Sequence, residues 1–305
     1  MKRITGVVLF ILCAALIFAT GGTEKKKFVI GYCSEQLADP YLKKLSDAFN
    51  QAAAKYGLQV EVYDAQQVLE KQLSQIDTCI SKKVGVIIVI PVDAQGLVPG
   101  VKAANAAGIP VICIANSVAG GDFTMVGSDQ VVSGKMQGEY LAKSLAKDAS
   151  VVYMRGIEGL QVTEDRHSGF MEAMKARPDV KVLADKTAKF ARPEAMQLME
   201  DWIQAFPHFD AVITANDAMA LGAMDALKGA NRLSGVQIAG VDALTEAVQA
   251  VKKGEMAMTV LQDALGQAGQ AVELCKMLSE GKKIGKSYMV PFKVVTKENA
   301  DEFLK

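Results

Sequence analysis

Ala211-Val212-Ile213-Thr214-Ala215-Asn216-Asp217-Ala218-Met219-Ala220-Leu221-Gly222-Ala223 writes a strand, a polar corner and a helix in one short run. The apolar stretch 211–215 has no alternation, which suits a strand covered on both faces. Asn216 and Asp217 are residue types that cap helices, and small helix formers follow them over 218–228. A doubly covered strand feeding directly into a helix is the repeating unit of a parallel sheet.

Working outward, the same cadence recurs on both sides. Upstream, residues 28–32 read as a first strand, and Asp39-Pro40 opens a helix with Leu42, Leu45, Phe49 and Ala53 at helical spacing. Gly57 closes that helix and 58–63 is a second strand. Residues 68–82 are helical, 84–90 form a continuous apolar strand stopped by Pro91, 98–107 is a helix closed by Gly108, and 109–114 is another strand. After Ser128 the order restarts: helix 134–146, strand 150–154, helix 163–177, strand 180–184 and helix 193–206. Past the opening stretch come strand 236–241, helix 244–253, strand 256–260, helix 265–278 and a terminal strand over 292–295. The expected fold is α/β: two similar doubly wound parallel-sheet lobes, joined by several short crossings because no Pro- or Ser-rich tether separates them. Ligands of open parallel sheets bind beyond the carboxyl ends of the strands. The polar residues there are Asp39, Asn116, the pair Asn216-Asp217, Asp242 and Gln262.

Composition narrows the function classes. The 305 residues carry 34 Lys and Arg against 34 Asp and Glu, so no global field attracts nucleic acid or an anionic membrane. Lys2 and Arg3 precede an uncharged run over 6–19, followed by the small residues Ala19-Thr20-Gly21, the order of a cleavable export signal. That run is shorter than the roughly 20 residues needed to span a bilayer, and Cys13 has neighbours too bulky for lipid processing. The expected product is exported to the periplasm and cut near Gly21. Cys33, Cys79, Cys113 and Cys275 lack metal or redox spacing and read as four buried free thiols, although a bridge is open to an exported chain. His167 and His208 have no ligand pattern, so neither metal nor cofactor is expected. No nucleophile elbow, phosphate loop or dinucleotide fingerprint follows a strand, which argues against an enzyme.

The segments Ala38-Asp39-Pro40-Tyr41-Leu42, Ile109-Pro110-Val111-Ile112, Val126-Gly127-Ser128-Asp129, Ala215 to Ala223 and Ile238-Ala239-Gly240-Val241-Asp242 come in an order that resembles a known family. The chain is similar, from Phe28 to Lys297, to the type I periplasmic solute-binding proteins, in the ribose/galactose-binding branch that serves ABC transporters. The Ala215–Ala223 stretch is shared with lactose-repressor-type regulators. The resemblance implies three hinge crossings, an amino-terminal lobe of 28–128 plus 263–291, and a carboxy-terminal lobe of 129–262 plus 292–305. It implies a small neutral sugar or polyol between the lobes, with a membrane permease and ATPase as partners and a chemoreceptor as a further one. Arg166 would donate to ring or hydroxyl oxygens; Asn216, Asp242 and Gln262 would bind hydroxyls; Tyr41 and Phe190 would flank apolar sugar faces; Asp39 and Asn116 complete the set. Each also has a structural reading: Asp39 as a helix cap, Asn116 as a turn residue, Tyr41 and Phe190 as packing. Between Asn216 and Asp217, the first is expected to be mainly functional and the second mainly structural. Trp202 is expected in a core with Leu198 and Phe206. The chain departs from the family's pattern at Ile90 and Ala115, where ribose binders place polar groups, which disfavours ribose. A sensory receptor, or a regulator sharing the effector fold, is the alternative; the latter needs a DNA-reading amino terminus where this chain has an apolar leader.

Overall fold

The computed structural model describes residues 27–304; the expected export signal over 1–21 lies outside the described residues. The first sheet contains β1 (Val29–Ser34), β2 (Gln59–Asp64), β3 (Val86–Val89), β4 (Val111–Ala115), β5 (Thr124–Gly127) and β11 (Ser287–Met289). Their spatial order is β11-β5-β4-β3-β1-β2 and every pairing is parallel. The second sheet contains β6 (Ser150–Arg155), β7 (Lys181–Thr187), β8 (Ala211–Thr214), β9 (Gln237–Val241), β10 (Met258–Leu261) and β12 (Lys293–Val295). Its order is β12-β10-β9-β8-β6-β7, parallel except for β12, which runs antiparallel to β10 at the edge. The two lobes are therefore of matched design, and the chain passes between the sheets after β5, after β10 and after β11.

Helices cover both faces of each sheet: α1 (Pro40–Lys55), α2 (Leu69–Lys82), α3 (Val98–Ala106), α4 (Gln130–Ser144), α5 (Gln161–Met174), α6 (Arg192–Ala205), α7 (Asp217–Gly229), α8 (Thr245–Lys253) and α9 (Ala264–Ser279). The unalternating apolar strands follow from this double cover. In β1, β3 and β4, Tyr32, Ile88 and Ile112 join one core with Leu45 and Phe49 of α1. Cys33, Val89 and Cys113 turn to the opposite core, with Ile76 of α2 and Val101 of α3. Among the described residues the four cysteines, Cys33, Cys79, Cys113 and Cys275, are buried and unbridged. Trp202 is in the core with Leu198, Phe206 and Met199. Among the described residues, no helix is long and apolar enough to cross a membrane.

The differences from the sequence expectations are local. β5 and β11 were not expected as strands: β11 has only three residues, two of them exposed, so it carries no apolar signature. α4 starts at Gln130, earlier than the expected 134, because the Asp129 carboxylate accepts from the Val131 amide at 3.1 Å and caps it there. β7 runs on to Thr187 through polar residues tolerated at a sheet edge, whereas 180–184 was expected. α5 begins at Gln161 and ends at Met174, ahead of the expected 163–177.

Candidate functional site

All eight residues named from sequence line one cavity, although they come from seven separate segments of the chain. Asp39, Tyr41 and Asn116 approach from the first sheet's side; Arg166, Phe190, Asn216, Asp242 and Gln262 approach from the second. The space between these side chains is narrow, with about 40 Å³ open to the centre of a water-sized sphere. A further space shares Ala115, Asn116 and Val162 with it and reaches the crossing residues Ser128 and Asp129.

Arg166 anchors the second lobe's wall. It is 4% exposed, on α5. Its Nε donates to Gln130 Oε1 at 3.0 Å, Nη2 to Gln262 Oε1 at 2.5 Å, and Nη1 to the Ala215 carbonyl. These bonds use three of the guanidinium's five N–H groups. Nη2 also lies 3.8 Å from Asp242 Oδ1, an oxygen with no hydrogen-bond partner. Arg166 reaches this depth because two glycines let α4 and α5 touch backbone to backbone. A Cβ on Gly134 would collide with the Arg166 carbonyl, and one on Gly169 with the Val131 carbonyl. Both positions need glycine for close approach.

The other polar residues sit at strand ends. Asp39 caps α1, its Oδ1 accepting from the Leu42 amide at 2.9 Å, while Pro40 fits the first helical position. Asn216 is the cap of α7: its Oδ1 accepts from the Met219 amide at 3.0 Å, and its Nδ2 donates to the Phe190 carbonyl at 3.2 Å. The structure thus gives Asn216 the capping duty as well as a place on the cavity wall. Asp217 lies behind it, accepting from Thr259 Oγ1 at 2.7 Å and the Leu244 amide at 2.8 Å, and is structural as expected. The Phe190 ring packs over Gly156, where any Cβ would strike it. Tyr41 presents its ring, but its hydroxyl donates to Gln267 Oε1 at 3.1 Å. Gln267 donates on to Ser128 Oγ at 3.1 Å, and Ser128 donates to the Val290 carbonyl at 2.6 Å. That chain ties the first lobe's aromatic wall to two of the three crossings.

Burial sets the electrostatics. It raises the carboxyl pKa of Asp242 well above the usual range, against the lowering effect of Arg166. It raises Asp39 too, opposed by the amides of Leu42 and Tyr41 and by Arg166, and pushes Asp217 up to about 7. One guanidinium is shared among three carboxyl groups, so protonation relieves what pairing cannot. Three wall residues, Ala115, Phe190 and Asp242, have φ of 64°, 61° and 122°. Non-glycine residues in that region are strained, and such strain gathers at binding sites.

Sequence reasoning missed Glu35, Gln36, Leu42 and Val162, which also line the cavity. Glu35 was within reach of the strand-end rule. The first strand was read as 28–32, however, and β1 runs to Ser34, so the residue just past its end was passed over.

Two parallel-sheet lobes joined by three crossings, with a polar cavity between their strand ends, define a clamp-like binding protein. Residues 30–283 match the family described as periplasmic binding protein domain, and the chain belongs to it. The chain is 31% identical over 276 residues to the ribose import binding protein of Bacillus subtilis, covering 90% of this chain and 89% of that protein. It is 36% identical to a xylitol-binding protein of Mycolicibacterium smegmatis, covering 75% of this chain and 66% of that one. Among solved structures, an ABC transporter solute-binding protein from Bacillus halodurans with bound myo-inositol superposes with a TM-score of 0.88 at 35% identity. That match covers 92% of this chain and 99% of the other.

Proposed function

We propose that the chain is the exported substrate-binding component of an ABC importer, which captures a small neutral sugar or polyol between its lobes and delivers it to a membrane permease. The observation that carries this reading is the convergence of Asp39, Tyr41 and Asn116 with Arg166, Phe190, Asn216, Asp242 and Gln262 on one buried cavity. Rings supply apolar faces for C–H groups, and amides, carboxyls and a guanidinium supply the donors and acceptors that buried hydroxyls require. The relatives named for ribose, xylitol and myo-inositol support the polyhydroxylated class.

The lobes divide as 28–128 plus 263–291 and 129–262 plus 292–305, with an export signal over 1–21 directing the product to the periplasm. A ligand bonded to both lobes favours the closed form by its differential affinity for it, and the closed surface docks on the permease. ATP hydrolysis belongs to the partner ATPase; this chain binds and does not turn over its ligand. Ile90 and Ala115 replace polar groups and move the preference away from ribose.

The test is a thermal-shift and calorimetric screen of the protein, without residues 1–21, against sugars, polyols, cyclitols and nucleosides. A ligand at a hundred times its Kd stabilises by about 2.7 kcal/mol. Absence of a shift with every neutral polyol rejects the ligand class.

A further inference from the structure

Glu35 is a carboxyl group without a visible reason to be buried. It lies just beyond β1, is 6% exposed and faces the cavity, and its Oε2 has no hydrogen-bond partner. Among the described residues it makes no ion pair. Arg166, the cavity's cation, spends its bonds on Gln130, Ala215 and Gln262 and stands beside Asp242. The charged group that Glu35 feels is Asp39, which is also acidic. Across the cavity stand Asp242 and the amides of Asn216 and Gln262; on the Glu35 side are Asn116 and Tyr41, the latter turned to Gln267. A buried, unpaired carboxylate beside another carboxylate is costly, and taking up a proton removes that cost.

Building on the polyol reading, we infer that Glu35 is a ligand-binding residue that works in its acid form, donating its O–H to a hydroxyl or ring oxygen of the polyol. On the first lobe's wall the amides of Gln36 and Asn116 can donate, but Ala115 is apolar, the Tyr41 hydroxyl is committed to Gln267, and Asp39 accepts. A protonated carboxyl has one donor and a remaining acceptor, the combination a sugar hydroxyl needs from a buried partner. Burial, with the Asp39 charge adding to it, pushes the Glu35 carboxyl up to about 8. The acid form is therefore present at neutral pH and fades above that value. This differs from a carboxylate that grips a protonated amine, for which binding would strengthen as pH rises.

The experiment measures affinity for the best neutral polyol from the screen, by calorimetry from pH 6 to 9.5, for the wild type, Glu35→Gln and Glu35→Ala, with melting curves to verify folding. Wild-type affinity should hold up to about pH 8 and then fall by about tenfold per pH unit. Glu35→Gln keeps an N–H donor and should lack that decline, and Glu35→Ala should bind at least tenfold more weakly than Glu35→Gln at pH 6.5. Comparison with Glu35→Gln cancels the titration of Asp39, Asp217 and Asp242. Parallel pH profiles for the wild type and Glu35→Gln would overturn the inference and leave the polyol reading standing. So would an amino-substituted analogue binding tenfold tighter than its hydroxyl parent. If wild type and Glu35→Gln bind no polyol at pH 6.5, the polyol reading itself falls, and this inference with it.

Discussion

Gly169→Ala adds a single methyl at a place where α4 and α5 have no room for it. The new Cβ would sit on the Val131 carbonyl and press on the Lys135 amide. Both obstacles are backbone, so no rotamer change relieves them and the helices must separate. Overpacking of this kind costs about 1–3 kcal/mol, while replacing a mid-helix glycine by alanine returns about 0.5–1 kcal/mol. Taken at mid-range, the net loss is about 1 kcal/mol, which lowers Tm by roughly 2–4 °C for a chain of this size. Function suffers for the same reason, since Gly134 meets the carbonyl of Arg166 itself. Moving α5 outward pulls the guanidinium from Gln262 and Ala215, and ligand affinity should drop at least tenfold. Gly269→Ala is the control: that glycine is exposed in mid-α9 with open space around its Cβ position, and the variant should gain about 0.5–1 kcal/mol. Urea unfolding and calorimetry on both variants read the result. A Gly169→Ala protein as stable as the Gly269→Ala protein would refute the claim that close α4–α5 contact sets the depth of Arg166.

Three further outcomes are expected. Arg166→Met should weaken ligand binding by at least tenfold and destabilise by about 3–5 kcal/mol, because it strips a buried network of its cation; urea unfolding showing a loss below about 1 kcal/mol would contradict that. Asp217 has its carboxyl raised to about 7, so it favours folding below its unfolded value and loses that contribution as pH rises through 7. Stability in urea should accordingly fall between about pH 4 and 7 and level off above that, and Asp217→Asn should flatten the slope; an unchanged slope would count against it. Gln267→Ala cuts the Tyr41–Gln267–Ser128 chain at the crossings. Small-angle scattering should then report a more open ligand-free protein, and an unaltered radius would mean that the chain does not restrain the lobes.

How far the sequence reached depends on which force writes each feature. The strands covered on both faces, such as β3 and β8, advertise themselves because every side chain must be apolar. Strand-end positions followed from the same reading, and Asp39, Asn216, Asp242 and Gln262 all reach the cavity. β11 was illegible because three residues at an edge, placed by pairing with β5, need no pattern of their own. The start of α4 differs from the expected 134 because Asp129 caps it, and Gly134 lies inside the helix at its contact with α5. Glu35 carries no periodic or capping signal, and only the folded cavity reveals that its carboxyl lacks a partner.

The strained positions bear on why the cavity holds its shape. Ala115 ends β4, Asp242 follows β9, and Phe190 lies in the loop before α6, each in a backbone region that L-residues rarely enter. Residues held this way cost about 1–3 kcal/mol each, so the surrounding packing must fix them. Phe190 is fixed by its ring on Gly156 and by the Asn216 amide on its carbonyl. Asp242 is fixed by its own amide, which donates to the Val260 carbonyl at 2.8 Å. A wall set before a ligand arrives loses little entropy on binding. Closure can then spend its differential affinity on moving whole lobes about the three crossings, with few side chains left to order.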